Sequence, residues 1–153
     1  MPKQQEEWKM ADSLHQVHIL ASEQTVYNAI SQQSGIQSWW TDHCQMAAEE
    51  GQTSTLWFDN EKSVFTMRTQ KLLPNRRVFW VCEQGPEEWI DTELWWEIQP
   101  NPSGGCTLDF KHMNWAKDTG LFPICNSTWG TLMQQLKVYC ETGEQQPWFQ
   151  QSA

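Results

Sequence analysis

The sequence predicts an α+β fold: a curved antiparallel sheet of about six to seven strands wrapped around a long C-terminal helix, with two short helices after the first strand. Two observations carry the prediction. Leu121, Cys125, Trp129, Leu132, Met133, Leu136 and Cys140 recur at steps of three and four. That is the period of one helical face. Upstream, short runs rich in β-branched and aromatic residues are separated by Pro, Gly, Asn and Asp, the texture of strands joined by tight turns. A twisted sheet of this size curls, and a long helix laid across its concave side closes the core.

Taken in order, residues 1–12 read as a frayed polar tail and 13–148 as a single domain, with 149–153 as a second tail. Residues 14–21 (LHQVHILA) form a first strand with Val17, Ile19 and Ala21 on one face. Ser22 is placed to cap a helix, SEQTVYNAIS, whose stripe is Val26, Ala29 and Ile30. Gly35 is expected to interrupt it, and a second helical turn, GIQSWWT, carries Trp39 and Trp40. Strands follow at 53–58, 63–73, 76–83, 89–99 and 106–115, with a weaker one at 43–48. Asp59-Asn60, Pro74-Asn75, Gly85-Pro86 and the PNPSGG stretch at 100–105 mark the turns between them. In the last segment Pro123 suits a first helical turn, so the helix is expected to start near Phe122. Leu121 then sits in the preceding loop, guarding one end of an interior. Gly143 ends the helix and Lys137 lies near its negative pole.

The formal net charge is −9, with only ten basic residues. Nucleic acid and anionic membrane surfaces, which need clustered Lys and Arg, are excluded as partners. Five cysteines (44, 82, 106, 125 and 140) show no C-x-x-C spacing and fall in apolar patterns. There a thiol acts as a small hydrophobe. The N-terminal MPKQQEEWKM has no apolar run to serve as a signal, and no segment has the length of a membrane span. The expectation is a reduced cytoplasmic protein without cofactor or metal. Eleven tryptophans are the strongest compositional bias. Each buries a large area and prefers a partner for its indole N–H.

HILASEQTVYNAIS followed by IQSWWT resembles the opening of a START-like helix-grip (SRPBCC) domain. The closing STWGTLMQQLKVYCETGEQQP is similar to the C-terminal helix of the subgroup related to the activator of the heat-shock chaperone ATPase. In that subgroup a helical Trp is followed by spaced leucines, an aromatic, a Gly and a Pro. Trp129, Leu132, Leu136, Tyr139, Gly143 and Pro147 match those positions. LLPNRRVFWVC resembles its strand, Pro-containing turn and next strand. The resemblance covers about residues 14 to 148 and implies a sheet gripping the helix around an internal cavity. It implies no fixed catalytic residues, since members range from hydrophobic-ligand carriers to aromatase/cyclases to chaperone regulators.

Alternation along the strands puts Val78, Trp80 and Cys82, then Leu94, Trp96 and Ile98, then Leu108, Phe110 and His112 on one face. With Trp129, Leu132, Met133 and Leu136 from the helix they would line a pocket or fill a core. Of the Trp39-Trp40 pair, one is expected to pack inward and the other, Trp40 among the cavity candidates, to touch a ligand or partner. His112 is either a hydrogen-bonded core histidine or a group that titrates against a ligand. Arg68, alternating with Val64 and Thr66, either points inward to a ligand carboxylate or pairs with Glu83, Glu93 or Glu97. Asp109 falls on the face opposite His112, so these two form no dyad.

The acidic run of Glu87, Glu88, Asp91, Glu93 and Glu97 reads as a solvated face, or as a docking surface if Trp89 and Trp95 are exposed beside it. His15 and His18 lie on opposite faces of a strand, and no third ligand suits them or His43-Cys44, so no metal site is predicted. Phosphate loops, G-x-S-x-G and H-E-x-x-H are absent. The leading reading is a non-enzymatic module for a small hydrophobic or aromatic ligand, as monomer or homodimer. A chaperone-ATPase regulator acting through protein contacts is the alternative. A cyclase/dehydratase using His112 or Arg68 to polarise a substrate stands third.

Overall fold

The computed structural model describes residues 10–150. The chain runs β1 (Ala11–Ile19), α1 (Glu23–Ser31), α2 (Gln33–Trp39), β2 (Cys44–Gln45), β3 (Thr53–Phe58), β4 (Ser63–Leu73) and β5 (Arg77–Gln84). A 3₁₀ turn (Glu87–Trp89), β6 (Glu93–Pro100), β7 (Cys106–Trp115) and α3 (Leu121–Thr142) follow. The strands form one antiparallel sheet in the order β1-β7-β6-β5-β4-β3-β2. This is the predicted α+β, helix-grip architecture: a meander from β2 to β7, with β1 returning beside β7.

The concave face carries Val17 and Ile19, Leu108, Phe110 and His112, Leu94, Trp96 and Ile98, and Val78, Trp80 and Cys82, all buried. Trp129, Leu132, Met133 and Leu136 of α3 close over them. Register shifts interrupt β4 between Thr66 and Met67 and between Thr69 and Lys71. Such bulges bend a strand and raise its twist, which lets the sheet wrap around the helix. The open edge of β1 is covered by α3. Lys137 Nζ donates to the His18 carbonyl (2.7 Å), Glu141 accepts from Leu20 N (2.8 Å) and Asn126 Oδ1 accepts from Ser13 Oγ.

Several boundaries differ from the expectation. The strand begins at Ala11, which pairs with Trp115, so the end of the supposed tail belongs to the sheet. Residues 1–9 and 151–153 lie outside the described residues. Ser22 caps α1 as predicted, accepting from Thr25 N at 3.0 Å. The break between α1 and α2, however, is at Gln32 (φ −94°, ψ 149°). Gly35 lies inside α2, because a Cβ there would fall on the Asn28 carbonyl of α1. The helices cross too closely for any larger residue.

α3 starts at Leu121, earlier than expected, because its first amide has a partner from elsewhere. Gly120 (φ 67°) offers no side chain, and Glu88 Oε2 accepts from Leu121 N at 3.0 Å. A carboxylate at that pole also suits the helix dipole. Gly143 (φ 77°) ends the helix, its N–H bonding to the Tyr139 carbonyl at 2.7 Å. Lys137 does not serve that end; it pairs with Glu141 at 2.7 Å. Among the described residues no helix is long and apolar enough to cross a membrane.

Candidate functional site

The N-terminal half of α3 presents Leu121, Ile124, Cys125, Thr128, Trp129 and Leu132, spaced at zero, three, four, seven, eight and eleven residues along one stripe. The stripe does not reach the centre of the sheet along its whole length. Trp129 and Leu132 touch the core, whereas Ile124 is 63% exposed. Between this half-helix and the β3–β4 end of the sheet lies a cleft of about 360 Å³. Its far wall is Phe58, Ser63 and Phe65, its side the turn from Pro86 to Trp89, its floor Trp40, and its remaining wall Phe149.

Each wall has a local cause. Asp59, Asn60 and Glu61 take φ of 51°, 54° and 71°, a left-handed run that Asp and Asn tolerate. The hairpin they form sets Phe58 edge-on to Phe65 at 5.1 Å. The 3₁₀ turn before β6 folds Trp89 inward, where its ring meets Phe65 at 4.8 Å. Trp89 is therefore buried, so the alternative of an acidic docking face with Trp89 exposed beside it falls. Trp95 is half-buried on the convex face, stacked on Phe79 at 3.7 Å with Arg77 over its ring.

Trp39 and Trp40 are both buried, at 0% and 3% exposure. Neither is the outward member of the pair that the sequence suggested: Trp39 donates its indole N–H to the Ala29 carbonyl (2.8 Å), while Trp40 forms the cleft floor. Trp129 and Leu132 also line the cleft. Trp80, Trp96, Phe110, His112, Met133 and Leu136 instead sit in the packed interior, outside the lining. Centroids of Phe110 lie 4.3 Å from both Trp96 and Trp129, so rings fill that interior.

Arg68 is not an inner residue. Its guanidinium points off the sheet, donating to both Glu83 oxygens (2.6 and 3.1 Å) and to the Gly51 carbonyl (2.7 Å). The phase of β4 is the reason. Ser63, Phe65 and Met67 face inward and Val64, Thr66 and Arg68 outward, and both sets contain apolar residues. Getting that phase right would have pointed to Phe65 as a wall. Ile124 flanks the stripe legible in the sequence, and Phe149 falls in the segment expected to be a tail; neither carries a signal of its own.

His112 lies just behind Trp129. Trp129 Nε1 donates to His112 Nδ1 (3.1 Å), so the imidazole proton is on Nε2, 2.8 Å from Thr92 Oγ1. Thr92 in turn donates to the Trp89 carbonyl at 2.5 Å. Burial pushes the His112 pKa down to about 3. The ring is neutral and both nitrogens are engaged in holding two cleft tryptophans. Cys125 is the one thiol on the lining; burial raises its pKa, a hydrogen bond from Trp89 opposing. Cys44, Cys82 and Cys140 are pushed up to about 12 by burial. These thiols are protonated and behave as apolar groups. Among the described residues no group of three or more His, Cys, Asp and Glu is placed to hold a metal ion.

The sequence model of the family "Activator of Hsp90 ATPase homolog 1-like protein" matches residues 20–141. The chain belongs to this family. No curated protein matches it significantly. Among solved structures it is similar to the Aha1 dimer from Colwellia psychrerythraea, with 28% identity and a TM-score of 0.79 over 88% of this chain and 98% of that one. Protein SSP2350 from Staphylococcus saprophyticus shares 16% identity with a TM-score of 0.73, covering 89% of this chain and 96% of that chain. DynU16, from the dynemicin biosynthetic locus, shares 17% identity at a TM-score of 0.75, covering 92% of this chain and 51% of that chain. The last two likenesses concern the fold.

In this member of the activator of Hsp90 ATPase homolog 1-like family, the residues that carried the resemblance have packing roles. Trp129, Leu132 and Leu136 are buried on α3, Tyr139 accepts the capping bond of Gly143, and Pro147 lies in the segment that returns over α2. The cleft is formed partly by residues outside that pattern.

Proposed function

We propose that the chain is a binding module for a small apolar or aromatic ligand held in the cleft beneath the N-terminal half of α3. The observation that supports this best is the cleft itself: about 360 Å³, with six aromatic rings and no charged side chain in its lining. Sites of this size and character take small molecules, with a few polar groups fixing orientation. Ser63 and Thr128 are the hydroxyls available for that. A catalytic reading has less behind it, since Arg68 lies on the outer face and His112 is neutral and fully bonded. The cavity proposed is thus displaced from the helix–sheet centre toward the β3–β4 end.

The test is titration with 1-aminoanthracene, a neutral aromatic fluorophore. Binding should quench tryptophan emission and raise dye emission, and Thr128→Trp, which places a ring in the cleft, should abolish both. No response in the unaltered protein would refute the reading. A second reading, contact with a chaperone or with another copy of the chain, is favoured by the likeness to the Aha1 dimer and by the half-buried Phe79–Trp95 stack on the convex face. Co-purification with a chaperone and a changed ATPase rate on titration would support it.

A further inference from the structure

We infer that the segment following α3 sets the size of ligand the cleft admits, with Phe149 as the determining side chain; this rests on the ligand-binding reading above. Gly143 turns the chain out of α3, and residues 146–149 run back across the end of α2. Gln146 N, Trp148 N and Phe149 N donate to the carbonyls of Ser38, Trp39 and Trp40 at 2.9, 3.1 and 2.8 Å. Asp42 N closes the pairing on the Phe149 carbonyl at 3.2 Å, and Thr41 bridges Phe149 in parallel. These acceptors are the carbonyls a helix end leaves without partners. The segment therefore doubles as the C-terminal cap of α2.

The consequence is a separation of roles within one short stretch. The main chain holds the segment in place, and Gln135 Nε2 adds a bond to the Gln146 carbonyl at 2.7 Å. The Phe149 side chain takes no part in that anchoring. Its ring stands edge-on to Phe58 at 5.0 Å and lines the cleft. Its neighbour Trp148 points away and is 50% exposed. A smaller residue at 149 would leave the backbone anchored and widen the cleft by about a ring, the kind of apolar void that admits an aromatic guest.

The experiment compares 1-aminoanthracene with the larger 1-aminopyrene on the full chain and on Phe149→Ala, Phe149→Leu and Phe149→Trp, each checked for a cooperative melt. Phe149→Ala should improve 1-aminopyrene relative to 1-aminoanthracene by about tenfold, the scale of discrimination a pocket achieves by one apolar group. Phe149→Leu should fall between, and Phe149→Trp should weaken both probes. If the unaltered protein binds 1-aminoanthracene and the ratio is the same in all four proteins, the inference fails and the ligand reading stands. If only the widened variants bind a probe, Phe149 shuts the native cleft, and the ligand reading fails together with the inference that rests on it. If no protein binds either probe, both fail.

Discussion

Trp129 and Thr92 bond the two nitrogens of His112, and the Trp129 bond needs the ring neutral: its indole donates to a bare nitrogen, while Thr92 accepts from the remaining N–H. The energetic sign follows. Unfolded, the imidazole titrates near its ordinary value of 6.5; folded, near 3. Between those values the unfolded chain binds the extra proton, so stability rises with pH through the window and is flat above it. Denaturant unfolding from pH 4.5 to 7.5 should show that rise, and His112→Gln should flatten it. His112→Phe should lower stability by about 1–3 kcal/mol for each partner left unsatisfied, with little pH slope of its own between 5 and 6.5. The alternation Leu108, Phe110, His112 made the inward position of this residue legible. Its partners were not, because they lie 20 and 17 residues away. Arg68 takes the second of its two readings, the pair with Glu83; its inward reading falls because Val64 and Phe65 give β4 two equally apolar phases, and only the pairing of Leu56 with Phe65 decides between them.

At the scale of elements, α3 and the meander were readable because their periods are long and mutually consistent. The corners were not. α1 and α2 pack so tightly at Gly35 that a glycine which looks like a helix breaker is instead a contact residue. Gly35→Ala, neutral or stabilising by helix propensity alone, should here cost about 1–3 kcal/mol by forcing the two helices apart. A fall in melting temperature with unchanged helix content would show it; a rise would contradict the close crossing. The 3₁₀ turn gave a similar surprise. The strand expected at 89–99 begins only at Glu93, and the residues before it form a separate turn that buries Trp89 and lends Glu88 to α3. One misplaced strand boundary hid both a cleft wall and a helix cap.

For the molecule as a whole, charge and cleft are decoupled. The chain carries a net −9, yet its cleft lining is uncharged. Affinity for a neutral aromatic probe should therefore be indifferent to ionic strength, while docking to a basic partner should weaken as salt screens it. Calorimetric titration at low and high salt distinguishes the two. A ligand that binds only the folded state also stabilises it, by about 2.7 kcal/mol at one hundred times its Kd. The helix-grip frame was legible in the sequence because it rests on packing patterns. The position of the cleft was not, because it depends on where α3 parts from the sheet and on a returning segment that has no pattern of its own.

The aromatic core also has an optical consequence. Trp39, Trp40, Trp80, Trp96, Trp129, Trp89 and Trp115 form an unbroken series of rings with successive centroids 5.4–6.4 Å apart. Indoles at such spacing pass excitation among themselves before emitting, so the series behaves as one antenna. A molecule resting on Trp40, Trp89 or Trp129 should darken emission gathered from rings it never touches. The protein then reports occupancy of its cleft without a label, and the half-exposed Trp148, outside this series, supplies a residual signal against which the loss is read.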